Sequence, residues 1–150
     1  MNTMRGLLSI GLGLLAMLRP ACGAPAMPGP SAAEKRIIDR HIGRIADPAT
    51  RRAVQGQDMA WQMTTFLCQD AARAVLVRMG GLPHRFFLQD AATGSQVVTS
   101  PALVSGRGQF LRAGNAIQWV GFTWNCHLDP DTGHVLRFDA QPTGPIRPGP

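Results

Sequence analysis

A chain of 150 residues, 45% hydrophobic and 16% charged, is long enough for one small domain and too short for two. Its 15 basic and 9 acidic residues give a net charge of +6. The apolar fraction excludes a wholly disordered chain, and no apolar run is long enough for a multi-span membrane protein. No fixed-period repeat is present.

The first 26 residues read as a secretory signal. Arg5 supplies a positive n-region, Gly6 to Leu18 form an apolar h-region, and Ala24-Pro25-Ala26 fits a small-residue cleavage site. The alternative is a membrane anchor. Thirteen helical residues span about 20 Å against a hydrocarbon core of about 30 Å, and Arg19 and Pro20 end the run. A second alternative is a lipoprotein anchored through Cys22, but Arg19-Pro20-Ala21 is a poor lipobox. Cleavage after Ala26 removes Arg5, Arg19 and no acidic residue, which lowers the net charge from +6 to +4. The expected location is therefore the periplasm or the outside.

Cleavage also removes Cys22 and leaves Cys68 and Cys126. Two cysteines in an exported chain predict one disulfide, worth about 4 kcal/mol in the chain-entropy model. The alternative is two separate buried thiols.

Residues 27–30 form a Pro-rich linker, 31–140 the ordered body, and 141–150 a Pro-rich tail expected to fray. Ser31-Ala-Ala-Glu34 is a capping box, followed by Ile37, Ile38, His41, Ile42 and Ile45 at helical spacing. Asp47-Pro48 starts a second helix, which Gly56 breaks. Asp58 caps a longer helix through Met79, ended by Gly80-Gly81, with Met59, Met63, Phe66, Leu67, Ala71, Ala74 and Val75 as its stripe and Cys68 on the flank.

After Pro83 the period changes to two. Strands are expected over 84–89, 96–99, 102–112, 117–128 and 134–139, with 96–99 only a short β-prone run before Pro101. Gly106 and Gly108 inside the third imply a bulge or close packing. In the clearest strand, Val120, Phe122, Trp124, Cys126 and Leu128 share one face. Asp129-Pro-Asp-Thr-Gly133 is a hairpin turn. The predicted architecture is α+β: N-terminal helices packed on one face of an antiparallel sheet of about four strands. Cys126 points into that face and Cys68 lies on the covering helix, so the disulfide would staple helix to sheet.

The C-terminal half carries Gly106-Arg107-Gly108-Gln109-Phe110 and then Trp119-x-x-Phe122-x-x-x-Cys126-x-x-Asp129-x-x-Thr132-Gly133-x-Val135. This resembles a pattern in small exported proteobacterial domain families of unknown function, over residues 66 to 139. The resemblance implies export and a compact α+β fold, and it carries no catalytic residues.

Several groups invite chemistry. His127 and His134 flank the hairpin turn, and with Asp129 they form a candidate Zn²⁺ or Cu²⁺ site; the competing reading is a polar hairpin tip. A calcium loop at Asp129-x-Asp131-x-Gly133 lacks its later ligands. Cys126 as a nucleophile is disfavoured by the oxidising compartment and its apolar neighbours. A Gly-x-Ser-x-Gly elbow is absent. After the signal the only Glu is Glu34, which fits a cap, so paired glycosidase carboxylates are lacking. The basic run from Lys35 to Arg52 is diluted by Glu34, Asp39, Asp47 and Asp58 and reads as a solvated helix face, so nucleic acid is not an expected partner. Trp119 points opposite to Trp124. With Ile117 it marks a binding face, unless the basic helix or the tail covers it.

These readings converge on an exported, non-catalytic binding or envelope-structural module. No cofactor is expected, and the partner would be an envelope or extracellular protein or polymer. The alternative is a metal-assisted enzyme or metal-binding protein at the His127/His134 hairpin.

Overall fold

The computed structural model describes residues 28–146, so the segment read as a secretory signal, Cys22 and the last four residues lie outside the described residues. Helix α1 (Ala32–Gly43) opens with the expected capping box. The Ser31 hydroxyl accepts from the Glu34 N–H at 3.2 Å, and the Glu34 carboxylate accepts from the Ser31 N–H at 2.6 Å. Ile38 and Ile42 face the core. Helix α2 (Pro48–Gln55) starts where Asp47 accepts from the Thr50 N–H at 2.7 Å, with Pro48 in the first turn.

The third predicted helix is one rod in three parts. It comprises α3 (Met59–Met63), a π-helical turn (Thr64–Cys68) and α4 (Gln69–Arg78). Asp58 caps it by accepting from the Trp61 N–H at 2.8 Å, and Gly80 (φ +87°) lies just past its end. The π turn inserts one residue, which rotates the rest of the rod by about 100°. Met63 faces the core before the turn, Leu67 and Cys68 within it, and Ala72 and Leu76 after it. This corrects the periodicity reading at Met59 and Ala74, placed on the stripe, and at Cys68, placed on its flank, whereas Ala71 and Val75 do pack against the margin of the core. Ala74 is exposed, and Cys68 is completely buried.

Five antiparallel strands follow: β1 (Gly81–Phe87), β2 (Gln96–Ser100), β3 (Leu103–Arg112), β4 (Trp119–Leu128) and β5 (Val135–Pro145). The sheet is only four strands wide, because β1 and β2 lie end to end along one edge of β3. There β1 pairs with residues 109–112 of β3 and β2 with residues 103–106. The helices pack on one face, as expected. Val120, Phe122, Trp124, Cys126 and Leu128 of β4 all lie in the core.

Two glycines of β3 let the β1–β2 connection approach the sheet closely. A Cβ on Gly106 would lie 2.6 Å from the Ser95 carbonyl oxygen and 2.7 Å from the Trp124 ring; one on Gly108 would collide with the Phe87 carbonyl oxygen. Through this gap the Trp124 indole N–H donates to the Leu88 carbonyl at 3.0 Å. The indole then stacks on Phe138 with centroids 5.6 Å apart.

The Cys68–Cys126 disulfide spans 58 positions, with Cα atoms 6.1 Å apart, and joins the rod to β4. The hairpin turn forms as read: the Gly133 N–H donates to the Asp129 carbonyl at 2.7 Å, and Gly133 sits at φ +76°.

The tail departs from expectation. The strand expected to end at Asp139 continues to Pro145, and the Ile146 N–H donates to the Trp119 carbonyl at 2.8 Å. Prolines 142 and 145 are tolerated because β5 is an edge strand, where a missing N–H breaks no ladder on the open side. The register shifts between Gly121 and Phe122, opposite Thr143, and Gly144 (φ +116°) completes the bend.

Two substitutions test this frame. Gly108→Ala forces the Phe87 carbonyl away and is expected to destabilise by about 3 kcal/mol in urea unfolding. Cys126→Ala is expected to remove about 2–5 kcal/mol, read in the same experiment against the wild type with and without reductant.

Candidate functional site

The face of the sheet away from the helices is the first candidate. Thr123 and Asn125 of β4 are exposed there, and Trp119 stands at its end. Trp119 lies opposite Leu111 of β3 and stacks on Phe87 of β1, with centroids 5.7 Å apart and planes 27° apart. Trp119 is half-buried and Phe87 is 52% exposed. Ile117 is 88% exposed in the preceding loop. Phe87 was missed as a site residue. The signal was the period-two alternation of β1, which sends Phe86 to the core and Phe87 outward.

At the other end of the face, His127 meets Asp139 and Arg137. Its Nε2 lies 3.2 Å from the Asp139 carboxylate, which also pairs with the Arg137 guanidinium at 2.8 Å. The strand register places Arg137, not His134, opposite His127. The trio expected to hold a metal, His127, His134 and Asp129, is therefore not assembled. Among the described residues no three His, Cys, Asp or Glu side chains converge. The Asp129 carboxylate accepts instead from the Thr132 hydroxyl at 2.8 Å and the Asp131 N–H at 3.0 Å. Those bonds, the hydroxyl first, hold its carboxyl below the usual range.

The hairpin tip is a packing element. A Cβ on Gly133 would lie 2.7 Å from the Ile37 Cδ1 and 3.2 Å from the Glu34 N, so the turn sits directly on the first turn of α1. Glu34 is consequently 0% exposed, and its Oε1 has no hydrogen-bond partner among the described residues. Burial pushes its carboxyl up, the two bonds to Ser31 oppose this, and the nearby Asp129 charge adds to the rise.

A third feature could not be read from the sequence, because its walls come from distant segments. A cleft of about 180 Å³ opens between the π turn and the start of the β1–β2 connection. Trp61, Thr64, Thr65 and Gln69 form one wall, and residues 86–89 with Gln96 form the other. None of these residues is charged, in a chain with 15 basic side chains. Thr64 is 2% exposed, and its hydroxyl has no hydrogen-bond partner among the described residues. Such an orphan costs about 1–3 kcal/mol. By contrast, a broader groove between α1, α2 and α3 carries Lys35, Asp39 and Arg51. These charges are already engaged: Lys35 pairs with Asp39 at 3.0 Å, and Arg51 donates to the Ile45 carbonyl at 2.6 Å.

The Glu34 environment makes a pH prediction. The raised value means the native state binds this proton more tightly than the unfolded chain does. The stability it contributes is present in acid and is lost as pH rises through that value. Glu34→Gln preserves the capping box and removes the charge. The variant is expected to melt above the wild type at pH 8 and to lose that advantage towards pH 4. Melting temperatures of both proteins across this range check it, and a pH-independent difference would contradict it. Asp47 and Asp90, whose carboxyls are held low by bonds that do not involve Glu34, titrate alike in both proteins and cancel.

Compared with protein-family models, with curated proteins and with solved structures, the chain has no significant match. Its function is read from its own residues.

Proposed function

We propose that this chain is an exported, non-catalytic binding module whose fold is held by one disulfide. The observation that carries the reading is the bridge itself. Cys68 and Cys126 are each completely buried and join the helical rod to the central strand. Such bonds form and persist in oxidising compartments, in keeping with the signal-like first 26 residues.

Both cysteines and most of the carboxylates have structural duties. Both cysteines are bonded to each other. Glu34, Asp47 and Asp58 cap helices, and Asp129 closes a turn. Asp90 pairs with Arg107 at 2.7 Å, and Asp139 with Arg137. What the fold leaves available is surface: the stacked Phe87–Trp119 pair with Ile117 beside it, and the uncharged cleft at the π turn. An envelope or extracellular protein or polymer is the class of partner such surfaces fit.

Intact mass of the protein expressed with its own N-terminus tests the reading. The expected species, recovered from the exported fraction, has the mass of residues 27–150 less two hydrogens, and gains two alkyl groups only after reduction. A full-length cytoplasmic species with free thiols would overturn it.

A further inference from the structure

We propose that the cleft at the π turn binds a neutral saccharide. The inference deepens the binding-module reading and rests on it.

The lining decides the ligand class. Its polar side chains are amides and hydroxyls, Gln69, Gln89, Gln96 and Thr64 among them. Each of these groups both donates and accepts, and so does every hydroxyl of a sugar. A carboxylate or ammonium ligand would instead need an opposite charge, and the lining holds none. Trp61 adds the apolar surface that meets the C–H face of a pyranose ring, while the Phe87 ring is turned to the opposite face of the sheet against Trp119. The Gln96 amide is held in place by donating to the Leu88 carbonyl at 3.3 Å, which leaves its carbonyl oxygen for a ligand hydroxyl.

The geometry adds two points. The orphaned Thr64 hydroxyl stands in the π turn that forms one wall, and turns of this kind recur at functional sites because they displace the backbone bonding pattern locally. At about 180 Å³ the cleft suits one ring rather than a larger organic cofactor. Beyond Gln89 and Gln96 the surface continues into a second hollow of about 290 Å³, bounded by Asp58, Asp90 and residues 92–95. Because the two hollows share both glutamines, a linear oligosaccharide would run from one into the other, with Gln89 and Gln96 at the junction.

The test is a titration of the ¹⁵N-labelled, disulfide-bonded protein followed by NMR. The probes are glucose, galactose, mannose, N-acetylglucosamine and the disaccharides cellobiose, maltose and chitobiose, with glucuronate and glucosamine as charged controls. The side-chain amide signals of Gln69, Gln89 and Gln96 and the Trp61 indole N–H signal report from the cleft itself. At least one neutral probe is expected to shift them saturably, with a disaccharide tighter than its monosaccharide. Gln69→Ala, at an exposed position, is expected to weaken binding about tenfold. Thr64→Val is expected to weaken it similarly while raising the melting temperature by about 4 °C, since it removes an unpaired buried hydroxyl. A purely structural role for Thr64 predicts the second effect without the first. Failure of every neutral probe to shift these signals would overturn the proposal, as would a response to the charged sugars alone or equal binding by both variants. Because the titration is independent of export, such a failure alongside the expected intact mass would leave the module reading standing.

Discussion

The bond between Cys68 and Cys126 sets the phase of the helical layer on the sheet. Cys68 ends the π turn, and without the extra residue of that turn its side chain would point along the flank of the rod. The inserted residue brings Cys68, Ala72 and Leu76 over the sheet, where Cys126 sits between Trp124 and Leu128 in the buried row of β4. Irregular helix and covalent link therefore form one device. The same turn shapes the wall of the cleft, so the feature that orients the core also makes the surface hollow beside it.

A second constraint acts on the opposite edge. Gly106 and Gly108 carry no side chains, so the chain leaving β1 can lie close against β3 and return as β2 along the same edge. The close approach supplies the Leu88 carbonyl to the Trp124 indole, which satisfies the one polar atom of the largest core residue. Substituting either glycine would displace backbone rather than a flexible side chain. The sequence signal for this was explicit, two glycines in a strand otherwise rich in β-formers.

Local chemistry made much of the fold legible. Ser31 with Glu34, Asp47 with Pro48, and Asp58 all cap helices where the residue types say they should, because capping depends on neighbours three residues away. The alternation in β4 was equally plain, as was the positive φ at Gly133. The features that escaped depend on contacts between distant segments. A π turn leaves no mark in the spacing of a stripe until the partner surface is known. The duplicated edge of β3 depends on where the β1–β2 connection runs. Pro142 and Pro145 looked like a frayed tail, because their compatibility with a strand depends on that strand's lying at an edge. His127 and His134 looked like partners because a turn separates them, yet the register shift next to Leu128 places Arg137 opposite His127. The candidate surfaces divide the same way. Trp119 was visible from strand alternation, whereas the cleft joins residues 61–69 to 86–96 and has no contiguous signature.

The docking of the β4–β5 turn on α1 bears on how the chain acquires its structure. Glu34 caps the first helix, and the residue that seals it from water is Gly133, nearly the whole ordered chain away. The disulfide likewise waits for β4. Contacts of such large sequence separation make folding slow and cooperative, since loop-closure entropy must be met before any of them contributes. The helices alone have little to bury against until the last hairpin arrives. A nascent or partly emerged chain with this wiring stays open along its length and closes in one late step, when its first cap and its final turn meet.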